Sequence, residues 1–93
     1  MEKNRRLYEV SDPQEVNHKA MQLHLNEIHP SSRKDKKYMV FDGRTMVHFG
    51  SMPYNDYTKT HDERKREMFR KRNHRWRDAP RYSAAWLSYH LLW

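Results

Sequence analysis

Residues 38–49 read Tyr38-Met39-Val40-Phe41-Asp42-Gly43-Arg44-Thr45-Met46-Val47-His48-Phe49, and this stretch decides the fold. β-Branched and aromatic residues flank an Asp-Gly pair, a composition that favours two short strands joined by a two-residue turn. A turn at Asp42-Gly43 would pair Phe41 with Arg44, Val40 with Thr45, Met39 with Met46 and Tyr38 with Val47. One face of the hairpin then carries Met39, Phe41 and Met46, and the other Tyr38, Val40 and Val47. Both faces are largely apolar, so helices must cover at least one of them.

Upstream, Asp12-Pro13-Gln14-Glu15 has the chemistry of a helix start: an N-capping acid, a proline whose missing N–H is not needed in the first turn, and Glu15 to close a capping box. Val16, Ala20 and Leu23 form one apolar stripe and Met21, Leu25 and Ile28 another, which predicts a helix over 13–28. His29-Pro30 ends it, and Ser31 to Lys37 reads as a polar connector held in water. Leu7 to Val10 is a candidate third strand. Downstream, Thr60 with Glu63 predicts a helix over 61–73, supported by a Glu67–Lys71 pair. Its apolar content is Met68 and Phe69, so most of its circumference should face solvent. Ser83 then caps a short terminal helix that is apolar almost all round. The expected architecture is α+β: a central β-hairpin, with a third strand, packed with an N-terminal helix, a basic helix and a short aromatic C-terminal helix.

Ninety-three residues allow one small domain, and with 35% hydrophobic content its core must be thin. The absence of cysteine excludes disulfides and thiolate zinc sites. No run approaches the roughly 18 apolar residues of a membrane span, and MEKNRRLYEV lacks the pattern of a secretory signal, so a soluble protein made inside the cell is expected.

Charge is concentrated. Between Arg64 and Arg81 lie nine cations (Arg64, Lys65, Arg66, Arg70, Lys71, Arg72, Arg75, Arg77 and Arg81) against Glu67 and Asp78, a local surplus equal to the chain's whole net charge of +7. A cluster of this kind produces a directional field, and guanidinium favours bidentate contact with phosphate or carboxylate. These nine residues are the candidate contacts for nucleic acid or an acidic protein partner.

No catalytic constellation emerges. His18, His24 and His29 are spaced six and five apart, which does not place pairs on one helix face, and the other histidines are scattered. His48, Asn55 and His61 follow the order of a metal-dependent nuclease, yet Phe49 stands where a second histidine is needed and no acid accompanies His48. A non-enzymatic protein without metal or cofactor is expected. Phe69, Trp76 and Tyr82 interleave with the arginines and have the chemistry to stack on bases, although a thin core favours the use of Phe69 and Trp76 in pinning the basic helix to the hairpin. Trp86, Tyr89, Leu91, Leu92 and Trp93 make the terminal helix greasy enough to suggest a protein-partner anchor or self-association.

The segments KKYMV, VHFG, the pair Tyr54 and Tyr57, HDERKR and YSAAWLSYHLLW, taken together over residues 31–93, resemble a small basic domain of uncharacterised function encoded by large nucleocytoplasmic DNA viruses of algae and protists. Residues 11–30 form a helical extension outside that likeness. The resemblance implies a viral product located in the virion, and in the host cytoplasm during assembly; it brings no catalytic residues. The leading expectation is a minor capsid or core component bridging larger virion proteins. The alternative is a stand-alone protein binding DNA or RNA phosphate through its arginine-rich helix.

Overall fold

The computed structural model describes residues 2–93. In chain order the elements are α1 (Glu2–Val10), α2 (Pro13–Gln22), β1 (His29–Pro30), β2 (Lys36–Phe41), β3 (Met46–Ser51), α3 (Tyr57–Thr60), α4 (Glu63–Arg72), a 3-10 turn (His74–Asp78), α5 (Ala84–Leu87) and a π turn (Ser88–Leu92). The strands form one antiparallel sheet in the order β1-β2-β3, and the class is α+β as expected.

The hairpin pairs Phe41 with Met46, Val40 with Val47, Met39 with His48 and Tyr38 with Phe49. The turn therefore centres on Gly43-Arg44, one residue later than the Asp-Gly motif suggests. Gly43 has φ +104° at the first central position, a conformation that costs glycine little. Asp42 Oδ1 accepts the N–H groups of Arg44 (2.7 Å) and Thr45 (2.8 Å). These bonds hold the exposed Asp42 carboxyl below the usual carboxylate range. Moving the turn by one residue slips the pairing by two, and an even slip keeps every side chain on its expected face. Tyr38, Val40 and Phe49 are buried with Val47 packed beside them, whereas Phe41 and Met46 remain exposed.

Asp12 caps α2, accepting from the N–H groups of Gln14 and Glu15, but Glu15 closes no box; its carboxylate lies 3.5 Å from Lys19 and 2.8 Å from His61. The helix stops at Gln22, six residues short of the expected end. His24 adopts φ +59°, its N–H reaches Met21 O (3.1 Å), and Leu25 N–H reaches Ala20 O (2.9 Å). This double closure is a Schellman cap formed without glycine. Ile28 is still buried, from extended backbone that Asn17 pins by accepting Ile28 N–H and donating to Ile28 O. The third strand is His29–Pro30 and not Leu7 to Val10, which lies in α1; proline is tolerated there because β1 is an edge. Nor is the segment from Ser31 to Lys37 simply a connector in water, since Ser31 and Lys37 are both buried.

Lys37 is held inside by Asp56, Nζ to Oδ2 2.9 Å, both side chains at most 3% exposed. A chain of hydroxyls leads from this pair to the helices. Tyr38 OH donates to Ser11 Oγ (2.6 Å), Ser11 meets Thr58 Oγ1 (3.1 Å), and Thr58 donates to Asp56 Oδ1 (2.5 Å). Burial pushes the Lys37 ammonium below the ordinary lysine range, partly offset by Asp56, and pushes the Tyr38 phenol well above its usual value.

α3 is a single turn capped by Asp56 and ended by His61 at φ +52°. α4 starts two residues later than expected because Asp62 is the residue that caps it, accepting Lys65 N–H at 3.1 Å; Thr60 instead accepts Asp62 N–H. The core gathers Leu7, Val16, Ala20, Ile28, Tyr38, Val40, Phe49, Leu87, Leu91 and Leu92. Three of these come from the terminal segment, each bringing about 1.5–3 kcal/mol of burial.

Replacing Lys37 with methionine strands the Asp56 carboxylate, and urea unfolding should show a loss of about 3–5 kcal/mol. Tyr38→Phe removes one hydrogen bond, about 1 kcal/mol at neutral pH. Because the folded Tyr38 keeps its proton where the unfolded phenol loses it, the wild-type stability that this group contributes is full below about pH 10 and lost as pH rises above it. The stability gap between wild type and Tyr38→Phe should therefore narrow on raising pH above about 10, measured by urea titration at each pH.

Candidate nucleic-acid interface

The nine cations of the 64–81 stretch divide by position on the helix. Arg66 and Arg70 share the inward stripe of α4 with Phe69, at i, i+3 and i+4 spacing. Arg66 Nε donates to the backbone oxygen of Trp93 (2.7 Å), its guanidinium lies 4.5 Å from the Tyr57 ring centre, and Glu63 is 3.6 Å away. Arg70 covers the Tyr89 ring at 5.3 Å, with its Nε buried and unpaired among the described residues. Arg81 donates to Leu23 O (2.7 Å), the carbonyl left free at the end of α2, and lies over Trp86 and Tyr82. These three hold the fold together.

The others face solvent. Arg64, Lys65, Lys71, Arg72 and Arg75 are exposed, and among the described residues no ion pair or side-chain hydrogen bond engages them. The expected Glu67–Lys71 pair does not form within 4.0 Å; the contact made on α4 is Arg66 with Glu63. Arg77 meets Asp78 at 3.4 Å with both side chains exposed, a pair worth at most about 1 kcal/mol. Arg70, Lys71 and Arg72 sit in the last turn, where the helix dipole favours cations.

The aromatic residues divide likewise. Phe69 stacks on Trp93, ring centres 4.5 Å apart and nearly parallel, and meets Trp76 edge-on at 5.7 Å. Phe69 thus pins α4 to the terminal segment, where the expected ring partner was the hairpin. Tyr82 is structural too, its hydroxyl accepting Asn26 N–H at 2.8 Å. Trp76 remains 37% exposed on the wall of a cleft of about 590 Å³ between α4, β3 and the terminal segment. Nothing in the composition marked this cleft, because it depends on the return of residues 84–93 to the sheet.

The terminal segment corrects an expectation. Leu91 and Leu92 are fully enclosed by this chain, Tyr89 is 9% exposed, and Trp86 and Trp93 are half-buried. Ser83 caps α5 as foreseen, accepting Trp86 N–H, but the helix widens into a π turn after Leu87. Lys19 Nζ (3.4 Å from Leu91 O) and Arg66 satisfy carbonyls at its end. Burial lowers the Lys19 ammonium below the ordinary lysine range, against the pull of Glu15. β3, α2 and α4 pack against this segment and enclose Leu91 and Leu92, while Trp86 and Trp93 keep part of their surface.

His48 and His61 are engaged separately, His48 Nδ1 with Ser31 Oγ (2.6 Å) and His61 Nε2 with Glu15 (2.8 Å). Among the described residues no three His, Asp or Glu side chains gather as a metal site, and no helix is long and apolar enough to cross a membrane.

The two arginine classes should separate in stability measurements. Arg66→Ala should cost about 1–2 kcal/mol in urea unfolding, through loss of a charge-assisted hydrogen bond and its ring contact. Arg64→Ala should stay within about 0.5 kcal/mol of wild type.

No curated protein and no solved structure matches this chain. The segment from Asn26 to Asn73, which carries the three strands, α3 and α4, matches a family model. Since that segment is more than half of the chain, the protein belongs to the family of unknown function DUF5754.

Proposed function

We propose that this protein binds nucleic acid, holding phosphates on the outer face of α4 and the 3-10 turn that follows. The supporting observation is the row of exposed cations, Arg64, Lys65, Lys71, Arg72 and Arg75, left without acidic partners among the described residues while Arg66, Arg70 and Arg81 serve the fold. The ten residues of α4 span about 15 Å, a length over which duplex DNA carries about nine phosphates. Glu67 is exposed on the same helix and dilutes the field without cancelling it.

A bridging role between larger virion proteins rests on the resemblance read from the sequence and on the terminal segment as anchor. With Tyr89, Leu91 and Leu92 spent in the protein's own core, that role keeps only the half-buried Trp86 and Trp93 as apolar contacts. A place in a virion remains compatible with the present proposal if the polyanion is packaged DNA.

Fluorescence anisotropy with a labelled duplex, titrated at several salt concentrations, tests the proposal. Five phosphate contacts imply a slope of log K against log salt of about −4.5. Changing Arg64, Lys65 and Lys71 together to alanine should reduce the slope by about 2.7 while leaving the thermal midpoint near wild type. Absence of binding to duplex and single strand at ~50 mM salt overturns the proposal.

A further inference from the structure

The cleft beside α4 combines features that a phosphate-binding surface alone does not need. Its wall is the aromatic cluster Phe69, Trp93 and Trp76, with Trp76 left partly in solvent. The exposed part of the indole, set in a concave wall beside two further rings, offers surface on which a flat ligand can stack. Gly50 forms part of the floor at φ +80°, and a Cβ there would lie 2.9 Å from Leu92 Cδ1 and 3.1 Å from Lys37 Cβ. Backbone and tail thus approach as closely as atoms allow, and the cleft opens above them.

Charge enters the same cleft. Arg72, from the last turn of α4, and Lys36, from the start of β2, both line it. Arg72 belongs at once to the solvent-facing cation row and to the cleft, four residues before Trp76, so the phosphate-binding surface runs without interruption to the aromatic wall. A flat ring joined to an anion matches this combination, and a volume of about 590 Å³ lies within the range of clefts that take small molecules.

The geometry points to a base-stacking subsite: the cleft receives an unpaired base of a single strand, stacked against Trp76, while the adjoining phosphates lie along Arg72 and the outer face of α4. This inference rests on the nucleic-acid proposal above and adds to it a preference for single strands, because a base inside a duplex is not free to enter.

The test compares an oligothymidine of about 12 nucleotides with a duplex of equal length, on the full chain. The oligothymidine should quench tryptophan emission and the duplex should not. Trp76→Ala should weaken oligothymidine binding about tenfold with duplex binding unchanged, and Trp76→Phe should retain most of the affinity. The triple alanine change on α4 should weaken both ligands. Thermal midpoints show whether each variant folds; if Trp76→Ala does not, the wild-type quenching contrast and Trp76→Phe decide. Duplex binding that persists with no quenching by oligothymidine and no effect of Trp76→Ala overturns the subsite while leaving the phosphate surface in place. Equal losses on both ligands in Trp76→Ala also overturn it, because Trp76 then only supports α4. Failure of the wild type to bind either ligand overturns both proposals.

Discussion

A buried lysine with a carboxylate 2.9 Å away is the constraint around which this small fold is arranged. Neither group can return to water without opening the domain, and neither tolerates the interior without the other. Lys37 belongs to β2, Asp56 to the segment after β3, and the hydroxyls of Thr58, Ser11 and Tyr38 extend the same network to α3, the α1–α2 junction and the inner face of the sheet. Asp56 N–H also reaches Val10 O at 3.1 Å. Each hydroxyl of the network is hydrogen-bonded within it, and such satisfaction is the condition under which a buried polar network specifies one arrangement. Its consequence for the surface is positional: Asp56 begins α3, α3 ends in the left-handed His61, and that reversal aims α4 along the terminal segment.

The terminal segment then completes the core. A domain with few large apolar groups cannot leave Leu87, Leu91 and Leu92 outside, and their enclosure settles what the arginines beside them do. The carbonyls at the end of a π turn need donors, and the rings of Tyr57 and Tyr89 offer faces for cations. Arg66, Arg70 and Lys19 meet these needs from α4 and α2. Basic residues on the inner side of α4 are therefore mortar, and the charge that remains for a partner lies on the other side.

Sequence patterns disclosed the hairpin, the faces of its strands, the capping roles of Asp12 and Ser83 and the basic character of residues 64–81, because each is a local signal. The observed hairpin register differs by two residues from the one the Asp-Gly pair predicts, yet every side chain keeps its face, since alternation along a strand survives an even slip. Signals that depend on distant partners were not legible. The end of α2 at His24 relies on a non-glycine residue accepting a left-handed conformation, and the strand at His29–Pro30 exists only because β2 presents an edge to it. The terminal stripe looked like an interface because an apolar surface has the same composition whether its own chain or another molecule covers it. The split of the arginines into structural and solvent-facing sets is hidden for the same reason, since Met68 and Phe69, adjacent in sequence, do not by themselves say which side of the helix turns inward.

Phe69 also explains why a charged surface and an aromatic cleft lie side by side. Its ring stacks on Trp93, so α4 cannot rotate about its axis without breaking that contact. With the phase of the helix fixed, positions 64, 65, 71 and 72 must face outward, and the chain leaving the helix at Asn73 must carry Trp76 past the edge of the Phe69 ring. Gly50 of β3 lines the same cleft, and a Cβ there would lie 2.9 Å from Leu92 Cδ1, so the sheet and the terminal segment meet closely beside it. The aromatic cleft and the cation row thus follow from one packing contact, and a change that loosened Phe69 from Trp93 would disturb both together.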